Sequence, residues 1–283
     1  MAFGFQLSYT KLMKPEDYSG AEAFQVEKRS MFAAEWLPLC AEGQLARTGD
    51  FVSASVGGWS VFGVRDGEGA VRILRNACRH QNMPVVNTPS GHCESFRCRF
   101  HGWTYDLQGR FLSAPPPVAP KDPGSPDLHL ASLATTLTAG MAFFTIGSPA
   151  AAPDLGQPFP VYGGTLTTEI ACNWKVCVEH LLAEHVPSPD FAWHWPLLTV
   201  RRAGALAIVE QVVPHTFLRT RLFTHVFGGA ADDHQQAAAT IKHVCECLQA
   251  DRAAGALAAD DGALIADFHR RLAEVYVHGA ATG

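Results

Sequence analysis

Two short runs, Cys78-Arg79-His80 and Cys98-Arg99-Phe100-His101, carry the residue types best suited to chemistry in this 283-residue chain. Each holds one cysteine and one histidine, and seventeen residues separate the two. Two thiolates and two imidazoles suit a [2Fe–2S] cluster in which the cysteines hold one iron and the histidines the other. Neutral imidazole in place of anionic thiolate lowers the cluster's negative charge, so it takes up an electron more readily than an all-cysteine cluster. Zinc is the alternative, since it also accepts two Cys and two His. Zinc fingers, however, usually pair Cys with Cys and His with His along the chain, whereas here each arm carries one of each. Cys93, between the arms, reads as a free thiol and not a fifth ligand. Gly91 and Gly102 fit tight turns that bring backbone N–H groups near sulfur. Trp103 and Tyr105 are expected to pack beneath the loops, as shielding or as ordinary β-domain core.

The text around the arms is also informative. Asn76-Ala77-Cys78-Arg79-His80 and the run from Cys98 through His101-Gly102-Trp103-Thr104-Tyr105-Asp106, followed by Gly109, resemble the two cluster loops of Rieske non-haem iron oxygenases. Asn173-Trp174-Lys175, followed by Glu179, resembles the helix that opens the catalytic domain of their α subunits. The resemblance is strong through the cluster region and weak after Phe191. It implies an α+β chain: an antiparallel β Rieske domain, then a helix-grip-like domain of antiparallel sheet and helices, here reduced. It implies Cys78, His80, Cys98 and His101 as cluster ligands. It also implies a mononuclear Fe(II) held by two histidines and a carboxylate, leaving positions open for oxygen.

This sequence departs from the family at each ligand of that second iron. The helix text Asp/Glu-x-x-His-x4-His is not met in frame. The carboxylate expected eight residues before Gln249 is Ile241, which cannot bind iron. Only fifty-five residues separate His185 from Ile241, little for a full substrate-binding sheet. His180 and His185 do have the x4 spacing and Asp190 follows, so these three form a candidate iron site if the helix breaks at Pro187. Glu184 is a candidate bridging acid between metal centres. The competing reading is a polar helix face with locally bonded histidines.

Three functions follow. The resemblance implies an oxidoreductase component, fed by an NAD(P)H-dependent reductase or a ferredoxin, in a trimer-based ring where electrons cross subunit boundaries. A chain with a complete cluster and an incomplete iron site would be an auxiliary, non-catalytic member of a heterohexamer, passing electrons to a catalytic Rieske oxygenase subunit. The alternative is a self-sufficient monooxygenase, hydroxylating or demethylating, with iron on His180, His185 and Asp190. A simple ferredoxin-like carrier is the third, although a second domain of about 130 residues is more than a carrier needs.

Composition agrees and excludes little else. The net charge is −5, which gives no sign of nucleic-acid binding. No run of eighteen apolar residues appears, so no membrane span is expected. No basic-then-apolar leader opens the chain, and the eight cysteines read as ligands and reduced thiols. Cys40, Cys172, Cys177, Cys245 and Cys247 are expected in apolar surroundings, and the location is expected to be cytoplasmic.

The elements that must position the arms are mostly strands. Phe51 to Val56, Trp59 to Arg65, Ala70 to Arg75 and Met141 to Ile146 carry β-formers between turn residues. Asp66-Gly67 and Leu107-Gln108-Gly109 read as hairpin turns, with the cluster on two hairpin tips. Ser113 to Pro126 reads as an extended loop without helix. Helices are expected over Ala21 to Trp36, Ala171 to Glu184, from Asp232 or Asp233 as cap, and over Ala263 to Val277. Strands are expected at Leu198 to Val200, Leu206 to Val213 and Thr216 to Phe227, and a linker at Ala250 to Gly262. The division is an N-terminal helical segment (1–35), a Rieske domain (36–150) and a truncated catalytic-type domain (151–283).

Overall fold

The fold is that of a computed structural model, which describes residues 13–147, 151–183, 185–186, 188–256 and 262–280. Two compact units are formed: Ala34–Tyr162, and a second that joins the described residues up to Ala33 with those from Gly163 onward.

In Ala34–Tyr162, short β-rich runs between aspartate and glycine turns give β1 (Leu37–Ala41), β2 (Asp50–Val56), β3 (Trp59–Arg65), β4 (Val71–Arg75), β5 (Ser90–His92), β6 (Phe96–Arg97), β7 (Thr104–Tyr105), β8 (Phe111–Ser113), β9 (Ser132–Thr138) and β10 (Met141–Thr145). Seven pair antiparallel in the order β1-β10-β9-β4-β3-β2-β5, and β6-β7-β8 form a small sheet. Two aspartates close the turns the same way. Asp66 Oδ1 accepts from the N–H groups of Glu68 and Ala70, and Asp106 Oδ1 from those of Gln108 and Arg110. Such Asx turns mimic a backbone turn and fix where each hairpin reverses. Ser113 to Pro126 departs from the expected plain loop, because Pro116 starts a 3₁₀ turn over Pro116–Val118.

In the other unit, α1 (Pro15–Ser19) and α2 (Ala21–Val26) lead into a π-helical segment, Glu27–Phe32. The single helix expected over Ala21 to Trp36 is therefore two kinds of helix. Then come β11 (Tyr162–Ile170), α3 (Trp174–Ala183), β12 (Phe191–His194), β13 (Leu198–Ala203), β14 (Leu206–Thr216), β15 (Arg219–Phe227), α4 (Gln235–Ala253) and α5 (Ala263–Ala280). The five strands lie in the order β11-β15-β14-β13-β12. β11 and β12 had no counterpart in the sequence reading, since Gly163-Gly164 interrupts one and the other is only four residues long. Neither Asp232 nor Asp233 caps α4. Both sit in a 3₁₀ turn, and the N-cap is His234 without a side-chain bond.

Two buried carboxylates organise this unit. Glu179 on α3 accepts from Tyr18 (2.5 Å) and His269 Nε2 (2.9 Å) through Oε1, and from Arg252 Nη2 (3.2 Å) through Oε2. Glu27 accepts from Trp174 Nε1 (2.7 Å), from Tyr276 (2.5 Å) and from Lys175. The N-terminal helices thus share a core with α3, α4 and α5 and are not a segment apart. A buried ion pair needs further donors to offset lost hydration, and each carboxylate has them.

Candidate metal centre

The four residues of the two arms converge at one end of the Ala34–Tyr162 unit. One arm leaves β4 on the way to β5; the other is the β6–β7 hairpin. Only the second is thus a hairpin tip, because β5 pairs with β2 and not with β4. Both arms nevertheless close identically. Cys78 N–H donates to Met83 O and Asn82 N–H to Cys78 O, at 2.8 and 2.7 Å. Cys98 N–H donates to Trp103 O and Gly102 N–H to Cys98 O, at 2.8 and 2.9 Å. The fourth residue after each cysteine is left-handed, Asn82 at φ 56° and Gly102 at φ 73°, a conformation that Asn and Gly tolerate best. Behind the first arm, buried Asn76 accepts from the N–H groups of Val85 and Val86 and donates to Val86 O. In the sequence Asn76 is a neighbour of the motif; in the structure its amide pins the loop.

Cys78 and Cys98 are buried, and the Cys98 thiol is close enough to disfavour ionisation of Cys78. The His80 and His101 rings meet edge to face, 4.7 Å between centroids. His80 stacks on Trp103 at 5.2 Å, and Trp103 is fixed by its Nε1 bond to Val118 O. Nδ1 of His80 is buried and has no hydrogen-bond partner. A buried ring nitrogen without a donor or acceptor is costly, and a metal bond is one way to satisfy it. Burial, with the neighbouring Cys98, pushes the Cys78 thiol up, while the Tyr105 hydroxyl and the His80 N–H pull it down. Tyr105 is fully buried, 3.1 Å from Cys78 Sγ, and accepts from Arg79 N–H at 3.1 Å. Two adjacent sulfurs, two adjacent imidazoles and donors aimed at sulfur fit a [2Fe–2S] group, with two protein ligands for each iron.

The N–H of Gly102 goes to the Cys98 carbonyl, not toward sulfur. Gly91 lies in β5, where a Cβ would come 2.7 Å from the Phe51 ring, so its part is close packing and not a turn. Cys93 is half-buried against the same core, its N–H on Gly49 O. Cys247 is exposed, unlike buried Cys40, Cys172, Cys177 and Cys245.

The second expected site is built differently. His180 lies on α3 and is half-buried. His185 follows the helix; its Nδ1 is 3.0 Å from Leu181 O, and its ring stacks on Phe191 at 4.1 Å. His185 and Asp190 line a cavity of about 450 Å³ with Phe191, Arg201 and Ile208. Among the described residues, no group of three His, Cys, Asp or Glu side chains is placed to hold a single metal ion. His180, His185 and Asp190 are therefore not brought together as a three-ligand set. Glu184 and Pro187 lie outside the described residues. Ile241 sits on α4, and Gln249, eight residues on, accepts from Asn173 N–H at 2.7 Å.

The model of the Rieske [2Fe–2S] domain matches residues 35–134. That segment is a Rieske domain. The chain is 31% identical over 104 residues to the biphenyl dioxygenase α subunit of Metapseudomonas furukawaii, 37% of this chain and 23% of the relative. It is 36% identical over 98 residues to the large oxygenase component of a 2,4-dinitrotoluene dioxygenase system from Burkholderia sp. (strain RASC), 35% of this chain and 22% of the relative. The match thus spans less than a quarter of the length of these relatives. In fold, the chain is similar to a quaternary ammonium Rieske monooxygenase, CntA, with TM-score 0.74, 18% identity and coverage of 93% and 94% of the two chains. It is also similar to naphthalene 1,2-dioxygenase, with TM-score 0.59, 16% identity and coverage of 94% and 80%. Residues 35–134 are thus a Rieske domain, and the chain as a whole shares the fold of these Rieske oxygenases. No helix among the described residues is long and apolar enough to cross a membrane.

Proposed function

We propose that this chain is an electron-transferring Rieske subunit of a multi-component non-haem iron oxygenase. It takes electrons from an NAD(P)H-dependent reductase or a ferredoxin and passes them to the mononuclear iron of a catalytic oxygenase subunit, as the non-catalytic member of a trimer-based ring. Cys78 and Cys98 would hold one iron of the [2Fe–2S] cluster and His80 and His101 the other. When bound, the cluster supplies reversible one-electron chemistry without an open site for substrate.

One contrast supports this reading. The Tyr105 hydroxyl reaches Cys78 Sγ and the His80 and His101 rings meet at 4.7 Å, whereas His185 turns its Nδ1 onto Leu181 O and stacks its ring on Phe191. The Tyr105 hydroxyl lies against Cys78 Sγ, Trp103 covers His80, and His101 stays half-exposed where a partner can approach. The specific observation favouring a self-sufficient monooxygenase is that His185 and Asp190 line one cavity. Metal analysis decides between them. The purified chain, loaded anaerobically with iron and sulfide, should hold two irons and two sulfides per chain and turn over only when a catalytic subunit is added. A third iron together with turnover by the isolated chain, lost in His185→Ala, would establish the monooxygenase instead.

A further inference from the structure

Three neighbouring strands of the second unit set one residue each into a row. β12, β13 and β14 align Phe191, Arg201 and Ile208 across their antiparallel pairing, so the three side chains share a face of the sheet. The row lines the cavity of about 450 Å³ that His185 and Asp190 also line. Phe191 and Ile208 are buried, Leu206 is half-buried two residues before Ile208, and the His185 ring stacks on Phe191. A pocket of this size, with hydrocarbon walls and a few fixed polar groups, suits a small organic molecule.

The polar member of the row is held from behind. Buried Glu210 accepts from Arg201 Nη2 at 2.9 Å through Oε1 and from Thr199 Oγ1 at 3.0 Å through Oε2. The guanidinium is thereby oriented, yet Arg201 Nε is buried and, among the described residues, has no hydrogen-bond partner. A buried donor left unpaired is costly, and an acceptor in the cavity removes that cost. Charge decides which kind of acceptor. Arg201 and Arg202 line the cavity with Asp190, and Glu210 pairs with Arg201, so two positive groups are matched by two negative ones. An anion would add a charge with no counter-ion in a partly desolvated site. A neutral carbonyl oxygen supplies the acceptor and leaves the balance intact.

We propose that this cavity binds a small neutral carbonyl compound with a hydrocarbon body, its oxygen accepting from Arg201 Nε–H and its body lying against Phe191, Leu206 and Ile208. The event is binding alone; no bond forms or breaks. The inference goes beyond the electron-transfer reading, and its test measures binding and not turnover, so the two fail separately.

The test is isothermal titration calorimetry on the full chain with its cluster loaded, kept anaerobic. The probes are cyclohexanecarboxamide and its anionic counterpart, cyclohexanecarboxylate. The amide should bind, and the carboxylate about tenfold or more weakly. Arg201→Lys keeps a cation opposite Glu210 and removes the Nε–H; it should weaken the amide about tenfold to a hundredfold. Ala203→Trp fills the cavity from an exposed position on its wall; it should abolish binding and leave the urea midpoint unchanged. Should Arg201→Lys unfold early in urea, Ala203→Trp carries the comparison alone. An amide that gives no heat of binding up to its solubility limit would assign the missing acceptor to ordered water and overturn the proposal. A carboxylate that binds as tightly as the amide overturns it too, as do variants that bind the amide as the wild type does.

Discussion

The Tyr105 hydroxyl offers a measurable handle on the cluster. It lies 3.1 Å from Cys78 Sγ and already accepts from Arg79 N–H, so its own hydrogen is free to point at sulfur. Burial and the neighbouring cysteines push the phenol well above its ordinary value, so the proton stays on oxygen at any working pH. A donor at a ligand sulfur stabilises the more negative, reduced state more than the oxidised one. Hydrogen bonds to charged groups contribute about 1.5–3 kcal/mol. If the two redox states differ by about half of that, roughly 0.75–1.5 kcal/mol, then about 59 mV per tenfold change in equilibrium converts it to about 30–65 mV. Tyr105→Phe keeps the ring in the core and removes only the hydroxyl. The midpoint potential should therefore fall by that amount, read by a redox titration followed by EPR. Unchanged g-values would show that the ligand set is intact. A potential that stays put or rises would refute the assignment of Tyr105 as donor to Cys78.

Gly102→Ala should hinder cluster loading and cost about 1 kcal/mol or more of stability, because φ is 73° and the new Cβ would sit 3.0 Å from Pro115 Cγ; iron and sulfide content per chain reads it. Glu179→Leu should destabilise the unit from Gly163 onward by about 3–5 kcal/mol, since Arg252 is left buried without its carboxylate; a urea titration measures it, and a loss under about 1 kcal/mol would contradict the network's role. His225 is fully buried and pushed down to about 3 by desolvation, with Gln211 Oε1 at 2.9 Å and Thr165 Oγ1 at 2.7 Å. The unfolded chain binds that proton from about pH 6.5 downward and the folded one does not, so stability should be full above about pH 6.5 and decline as pH falls toward 3. His225→Gln should flatten that part of the urea-midpoint profile, and an unchanged slope would exclude His225 as its source.

What the sequence reveals here depends on how far apart the cooperating residues lie. Each cluster arm is a run of three or four residues, so ligand types, turn residues and the packing of Trp103 could be read locally. The hairpins were equally legible, since Asp66 and Asp106 act within four residues of themselves. The second unit was not. Glu27 meets Lys175 across 148 positions, and Tyr18 meets Glu179 across 161. No local periodicity shows that an N-terminal segment supplies the counter-charge of a later helix, which is why residues 1–35 looked separable.

The same network bears on whether the second unit needs iron at all. Trp174, Lys175 and Glu179, the residues of α3 that resemble an iron-binding helix, are all engaged with Glu27, Tyr18, Arg252 and His269. The first half of the helix is therefore held by charge and packing, and only its far end carries His180, with His185 just beyond it. A fold anchored this way can lose a metal site without losing its shape. A metal bound only by the folded state raises stability by RT ln(1 + [L]/Kd), about 2.7 kcal/mol at a hundredfold excess over Kd. Under the auxiliary-subunit reading, ferrous ion added anaerobically to the cluster-loaded chain should leave the unfolding midpoint of this unit where it was, in wild type and in His185→Ala alike. A rise of that size in wild type, absent from His185→Ala, would mean that the segment at the end of α3 does hold iron, and the chain would have to be counted as catalytic.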